Sequence, residues 1–228
     1  MSLNFVGSST DKVDFGSNAV IDNLDPGTLI AWLYPTSQPN GFNRILYKGT
    51  PTQFFRRGNG GGNRIGMTIQ RATTSQNIDI ATVPSTSAWS FIAFTWDTAG
   101  NPHAYLGTLT SLAALDETGV QAGSGTRTDD SADSLIAGDS GTSVACPLRI
   151  ASLQLWNRAL SLGEIRQQQF HPHPASGCVL FSHLGFNGTG TQADWSGNAN
   201  NGTVTGATQD SHVPLGPCFG FDLGWQGA

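Results

Sequence analysis

The chain of 228 residues is 38% hydrophobic and 12% charged, contains 29 Gly and 11 Pro, and carries a formal net charge of −5. That length suffices to bury one full core, and so few charges among many glycines argue against solvated helices and for half-buried strands broken by turns. Two lysines, Lys12 and Lys48, and nine scattered arginines form no basic stripe along which phosphates could lie, which excludes nucleic acid as a partner.

From the first residues, MSLNFVGSSTDKVDFG, the chain alternates apolar and polar instead of opening on a basic start and a long apolar run, so an export signal is not expected. No apolar stretch approaches the ~20 residues of a membrane span. Ten short runs then read as strands: LNFVG, KVDFG, TLIAWLYP, RILYKG, RIGMTIQ, NIDIATV, WSFIAFTWD, HAYLGTL, SLIAGDS and LRIASLQLW. Each alternates or runs apolar and is interrupted by Gly, Pro, Asn or Asp, the pattern of an all-β sandwich or barrel.

Two of the interruptions carry a mechanism. Asp97 to Pro102 places Gly and Asn between two strands, as a hairpin requires. The glycines from Gly58 to Gly62 read as a hairpin tip and not a phosphate loop, because the strand-like NRIGMTIQ stands where a helix N-terminus would be needed. Further on, Leu148, Ile150, Leu153 and Leu155 make a strand, NRAL leads off it, and Ser161 with Glu164 has the S-x-x-E spacing of a capping box. The spacing predicts one short helix near 161–169. The cysteines Cys146, Cys178 and Cys218 are too few and too far apart for a disulfide framework, so buried thiols are expected, with a Cys178–Cys218 bridge the alternative.

These pieces together resemble the laminin-G-like, concanavalin-A-like lectin/glucanase jelly-roll domains. LQLWNRALSLGEI is similar to that family's ending, LNFVGSSTDKVDFGS to its opening, GTLIAWLYPTSQPNGFNRILYKG and WSFIAFTWDTAGNPHAYLG to two central segments, SLIAGDSG to a late strand, and DWSGNANNGTVTGA to a segment that usually opens such domains. The resemblance implies a two-sheet antiparallel sandwich over 1–212, followed by an apolar Gly/Pro-containing arm at 213–228. Trp32, Trp89, Trp96 and Trp156 alternate within strands and are expected in the packing, whereas Trp195 and Trp225 fall in loop-like sequence.

Glycosidases on this fold use paired carboxylates. Here only Glu117 and Glu164 exist, Glu164 is taken by the capping box, and the strand-like runs carry Asp14 and Asp79 singly, so a non-enzymatic domain is expected. The segment HPHP at His171 and His173 reads as a rigid linker, since a structural zinc site needs about four ligands. GDSGTS at 138–143 fits a glycine turn after a strand. The resemblance also raises calcium at a rim, for which Asp129, Asp130 and Asp133 are the candidate ligands, a solvated acidic loop being the alternative. Glycan-binding candidates are Trp195, Asn198 and Asn201, with Asn59, Asn63 and Asn101 in other loops, all amide or aromatic groups suited to hydroxyl-rich ligands.

In the arm, Phe219, Phe221, Leu223 and Trp225 would expose an apolar strip if solvated, so they are expected at a subunit contact. A start at Met without a signal is similar to such domains in bacteriophage structural proteins. The expectation is therefore a non-enzymatic virion surface protein, for capsid decoration or tail-associated adhesion, assembled in the host cytoplasm. Its partners would be copies of itself, other virion proteins and a surface polysaccharide. A secreted or cell-surface lectin-like carbohydrate-binding module is the alternative, and a glycoside hydrolase with an atypical site the second.

Overall fold

The period-two patterning becomes sixteen strands and one helix in the computed structural model, which describes residues 1–8, 10–38, 41–56, 62–138 and 146–214. In chain order these are β1 (Ser2–Phe5), β2 (Lys12–Asp14), β3 (Gly27–Pro35), β4 (Asn43–Lys48), β5 (Thr52–Arg56), β6 (Ile65–Ile69), β7 (Gln76–Asp79), β8 (Ser90–Trp96), β9 (Pro102–Thr108), β10 (Ala114–Leu115), β11 (Thr118–Gln121), β12 (Leu135–Gly138), β13 (Leu148–Trp156), α1 (Leu162–Phe170), β14 (Cys178–His183), β15 (Thr203–Thr205) and β16 (Thr208–Asp210). Sheet I has the order β10-β9-β8-β3-β13-β1-β16, with β14 pairing on β13 beside β1. Sheet II has the order β11-β7-β6-β5-β4-β12-β2-β15. Neighbouring strands are antiparallel, giving the expected jelly-roll sandwich.

Between the sheets lies a core that includes Leu3, Phe5, Leu29, Leu33, Phe54, Met67, Phe94, Trp96 and Leu153. Trp32, Trp89, Trp96 and Trp156 are all buried, as their alternation within strands predicts. Two irregularities decide which side chains face where. On β13 the register slips by one residue between Ile150 and Leu153, so both point inward although three positions separate them. On β4 the same happens between Arg44 and Leu46: Ile45 and Leu46 are both buried, and Arg44 and Tyr47 share the outer face.

The outer face of sheet I is sealed. Ile30, Trp32, Phe91, Ala151, Trp156 and Phe181 form a second buried cluster with Leu160, Ile165 and Val213. The capping box forms as the spacing predicts, with the Ser161 hydroxyl accepting from the Glu164 amide and the Glu164 carboxylate from the Ser161 amide. The helix buries little apolar surface of its own; its buried residues are Ile165, Gln168 and Gln169. Gln169 spans the gap to β9: its Oε1 accepts from the Ala113 amide at 2.7 Å, and its Nε2 donates to the Thr108 and Ser111 carbonyls at 2.8 Å each. A Cβ on Gly107 would meet that Nε2 at 2.6 Å, so only glycine leaves room there. Trp32 Nε1 donates to the Gln169 carbonyl at 3.0 Å, tying sheet to helix.

Candidate functional site

The outer face of sheet II is the counterpart, open to solvent and built differently. Strand pairing aligns Gln121, Asn77, Thr68, Gln53, Tyr47, Ile136, Asp14 and Thr203 in one row across all eight strands. At ~4.8 Å per strand the row runs about 34 Å. Part of it is pre-set by its own hydrogen bonds: the Thr68 hydroxyl donates to Asn77 Oδ1 and Asn77 Nδ2 to Gln121 Oε1, both at 2.7 Å. Such a relay fixes each amide's orientation before any ligand arrives.

Beside the row stands an aromatic patch. The β4 bulge sets the Arg44 guanidinium 5.7 Å from the Tyr47 ring and 5.9 Å from the Phe55 ring, and Phe42, 59% exposed, meets Phe55 edge-on at 5.5 Å. Gly66 makes room here, since a Cβ would lie 2.1 Å from Asp79 Oδ1 and 3.2 Å from Phe55. At the far edge the row opens into a depression of about 440 Å³ lined by Lys12, Asp14, Phe15, Asn201, Thr203 and Thr205. The face thus offers donors and acceptors next to rings, the chemistry that hydroxyl-rich ligands require.

Asp14 and Asp79 are the carboxylates this face carries on its strands. Five strand spacings separate them, roughly 24 Å, against the ~5–10 Å between paired glycosidase carboxylates. They cannot act as one acid–base pair.

The calcium expectation is corrected by the geometry. Asp129 accepts from Asn23 Nδ2 and the Ser131 amide, and these bonds hold its carboxyl down to about 2. Asp130 is buried and committed to the Asn23 amide, the Thr52 hydroxyl and the Arg127 guanidinium. The position a cation would take belongs to the Lys48 ammonium, 2% exposed, which donates to the Asp130 and Asp133 carbonyls at 3.0 and 2.6 Å and pairs with Asp22 at 2.7 Å. The buried Asp130 carboxylate and the Asp130 and Asp133 carbonyls are thus taken by Lys48 and Arg127, and the exposed Asp129 carboxylate by neutral donors, so the three aspartates are not gathered around an open cation position. Among the described residues no group of three or more His, Cys, Asp or Glu side chains could hold a metal. His173 instead anchors the chain after α1, its amide donating to Gln168 Oε1 at 2.9 Å. Cys146 and Cys178 are buried and form no disulfide among the described residues, with burial pushing the Cys178 thiol up to about 12; Cys218 lies outside the described residues.

The expected glycan loops do not converge. Asn101 closes the β8–β9 turn by donating to Asp97 Oδ2 at 2.9 Å. The Asp97 carbonyl touches Arg71 just after β6, whereas Asn63 precedes β6, so Asn63 and Asn101 lie at opposite ends of that strand. Asn59 lies outside the described residues. Asn198 is spent on structure, its Nδ2 donating to the Cys178 and Val179 carbonyls of β14, while Asp194 gathers the Phe181, Ser196 and Asn200 amides. Asn201 accepts from the Asp194 amide and also lines the sheet II depression, which joins it to the site. Trp195 is 52% exposed and packs edge-on at 6.2 Å against Phe186, itself 64% exposed, on the β14 side of the molecule. Sequence reading missed Arg44, Tyr47, Gln53, Thr68 and Asn77, whose signal was only that polar or aromatic groups occupy the outward positions of strands.

Comparison with solved structures agrees with this architecture. A candidate carbohydrate binding protein from Bacteroides ovatus superposes with a TM-score of 0.71 at 18% identity, covering 94% of this chain and 61% of that one. This chain thus spans less than two thirds of that protein's length. The heptameric SAP-like pentraxin from Limulus polyphemus gives 0.51 at 11% identity over 73% of this chain and 80% of that one. A Trypanosoma rangeli sialidase gives 0.49 at 14% identity, covering 73% of this chain and only 27% of that one. A search of curated proteins returned no match. Residues 7–166 match the model of the Laminin_G_3 family, described as the Concanavalin A-like lectin/glucanases superfamily, and the chain belongs to that family.

Proposed function

We propose that this protein is a non-enzymatic, lectin-like carbohydrate-binding domain whose contact surface is the outer face of sheet II. The observation that carries the reading is the row of oriented amides and hydroxyls running beside the Arg44, Tyr47, Phe55 and Phe42 patch. Sugar rings present C–H faces to aromatic groups and hydroxyls to amides, and a row about 34 Å long suits an extended polysaccharide laid across the strands. The wide separation of Asp14 and Asp79 supports binding without cleavage. The test is migration through gels containing neutral and acidic polysaccharides, together with a glycan array. Retention of the native chain that falls at least tenfold in Gln53→Ala and Asn77→Ala supports the face as the site. Retention unchanged in both variants removes it.

Display on a virion, with the 213–228 arm docked on a neighbouring copy, is a separate proposal resting on the sequence. Phe219, Phe221, Leu223 and Trp225 lie outside the described residues. Light scattering on the full chain and on a chain ending at His212 tests it: equal oligomeric mass in both discards the arm as an assembly element. No helix among the described residues is long and apolar enough to cross a membrane.

A further inference from the structure

A second cleft lies away from the row, on the sheet I side, between the 82–88 connection and the turn after β9. It measures about 480 Å³, within the range of small-molecule sites. Its apolar lining includes Tyr34, Trp89, Leu106 and Leu109, and its remaining lining is rich in Ser and Thr with no charged residue. We propose that this cleft is a second binding site, taking a single neutral sugar ring, independent of the sheet II face.

Three observations carry the assignment. First, the wall is clamped in place. The Tyr34 and Trp89 rings lie 5.4 Å apart, and the Arg149 guanidinium sits 4.6 Å from the Tyr34 ring while paired with Asp210 at 2.9 Å. Second, the lip is pinned before any ligand binds: the Thr82 amide donates to Asp116 Oδ1 at 2.9 Å and the Ser87 amide to the Pro35 carbonyl at 2.8 Å. Ser87 is held at φ +60°, a left-handed conformation unfavourable for a residue with a Cβ, so the surrounding structure maintains a strained residue at the mouth. Third, the polar groups suit one class of ligand. Thr82, Ser85, Ser87 and Ser90 line the cleft and bring hydroxyl-bearing side chains to it. Hydroxyls both donate and accept, as a sugar's do. A charged ligand would find no counter-charge in the lining and would lose hydration without return.

The experiment is saturation-transfer NMR on the full chain with free glucose, galactose, mannose and N-acetylglucosamine, and with glucuronate and glucosamine as charged controls. At least one neutral sugar should saturate with a dissociation constant in the millimolar range, as expected for a ligand of about a dozen heavy atoms. Both charged sugars should bind at least tenfold more weakly. Thr110→Trp and Ser85→Trp fill the cleft from its two lips at exposed positions; each should weaken the neutral sugar at least tenfold, and either one suffices if the other fails to fold. Gln53→Ala and Asn77→Ala should leave monosaccharide binding unchanged while reducing polysaccharide retention, which separates this site from the proposed one. The proposal is overturned if no neutral sugar saturates below about 100 mM, if a folded filled variant binds as well as the native chain, or if the charged sugars bind equally.

Discussion

The two sheets share antiparallel pairing and period-two strands, yet their outer faces differ in chemistry. Sheet I turns Trp32, Phe91, Trp156 and Phe181 outward and covers them with α1, Leu160 and Val213. Sheet II turns Asn77, Thr68, Gln53, Tyr47 and Arg44 outward and leaves them partly exposed. An apolar outer face must find a cover, because exposed rings on that scale associate. A polar and aromatic one can stay open, and is free to meet a ligand. The cover itself is held largely by amides, so what distinguishes the faces is which hydrogen bonds are closed within the protein.

The sharpest way to break this comparison is to open the sealed face. Gln169→Ala removes three hydrogen bonds, stranding the Ala113 amide and taking a donor from the Thr108 and Ser111 carbonyls, the latter still accepting from the Thr108 amide, for an expected loss of about 3 kcal/mol in urea unfolding. A loss under about 1 kcal/mol would mean the helix rests on the sheet without being fastened to it. Acid should weaken the same side. His183 meets Phe181 edge-on, and burial, followed by the charges of His212 and the N-terminal amine, lowers its imidazole from 6.5 to about 4. The folded chain therefore holds the ring neutral while the unfolded chain takes up a proton below 6.5. Stability is full above that value and falls as pH drops toward 4, by up to about 3 kcal/mol. Unfolding midpoints between pH 7.5 and 4 measure the slope, and His183→Gln should flatten it. Ser161→Ala, which deletes the helix cap, should cost about 1 kcal/mol by the same assay.

What the sequence revealed follows from how local each signal is. The capping box needs only Ser161 and Glu164, and the β8–β9 turn only Asp97 to Asn101, so both were visible in the chain. The buried tryptophans followed from alternation. By contrast, β5 adjoins the glycine run and β14 opens on four consecutive apolar residues, CVLF, before Ser182 and His183, so neither showed a clear period. The bulge that brings Arg44 and Tyr47 to one face is a pairing event between β4 and β5, with no mark in either strand alone. The acidic run at 129–133 looked like a cation site because the cations that satisfy it, Lys48 and Arg127, come from elsewhere in the fold or lie just before it. Asn198 looked available for sugar because the β14 carbonyls it donates to are brought to it only by the fold, whereas Asn101 is held by the Asp97 carboxylate of its own turn.

The smallest expected effect on stability is the most informative about function. Gln53 and Asn77 lie on the open face, and their side-chain bonds are made to neighbours that are themselves partly solvated. Replacing either with Ala should shift stability by no more than about 0.5 kcal/mol, as for other surface sites. The same substitutions should lower polysaccharide retention at least tenfold, equivalent to about 1.4 kcal/mol of binding. Polysaccharide recognition would then sit on sheet II, apart from the covered face that α1 fastens. If instead the two variants destabilise the chain as much as Gln169→Ala does, the amide row is a structural strut. The open face would then be a second sealed surface whose cover is a partner, and a search for that partner would replace the search for a glycan.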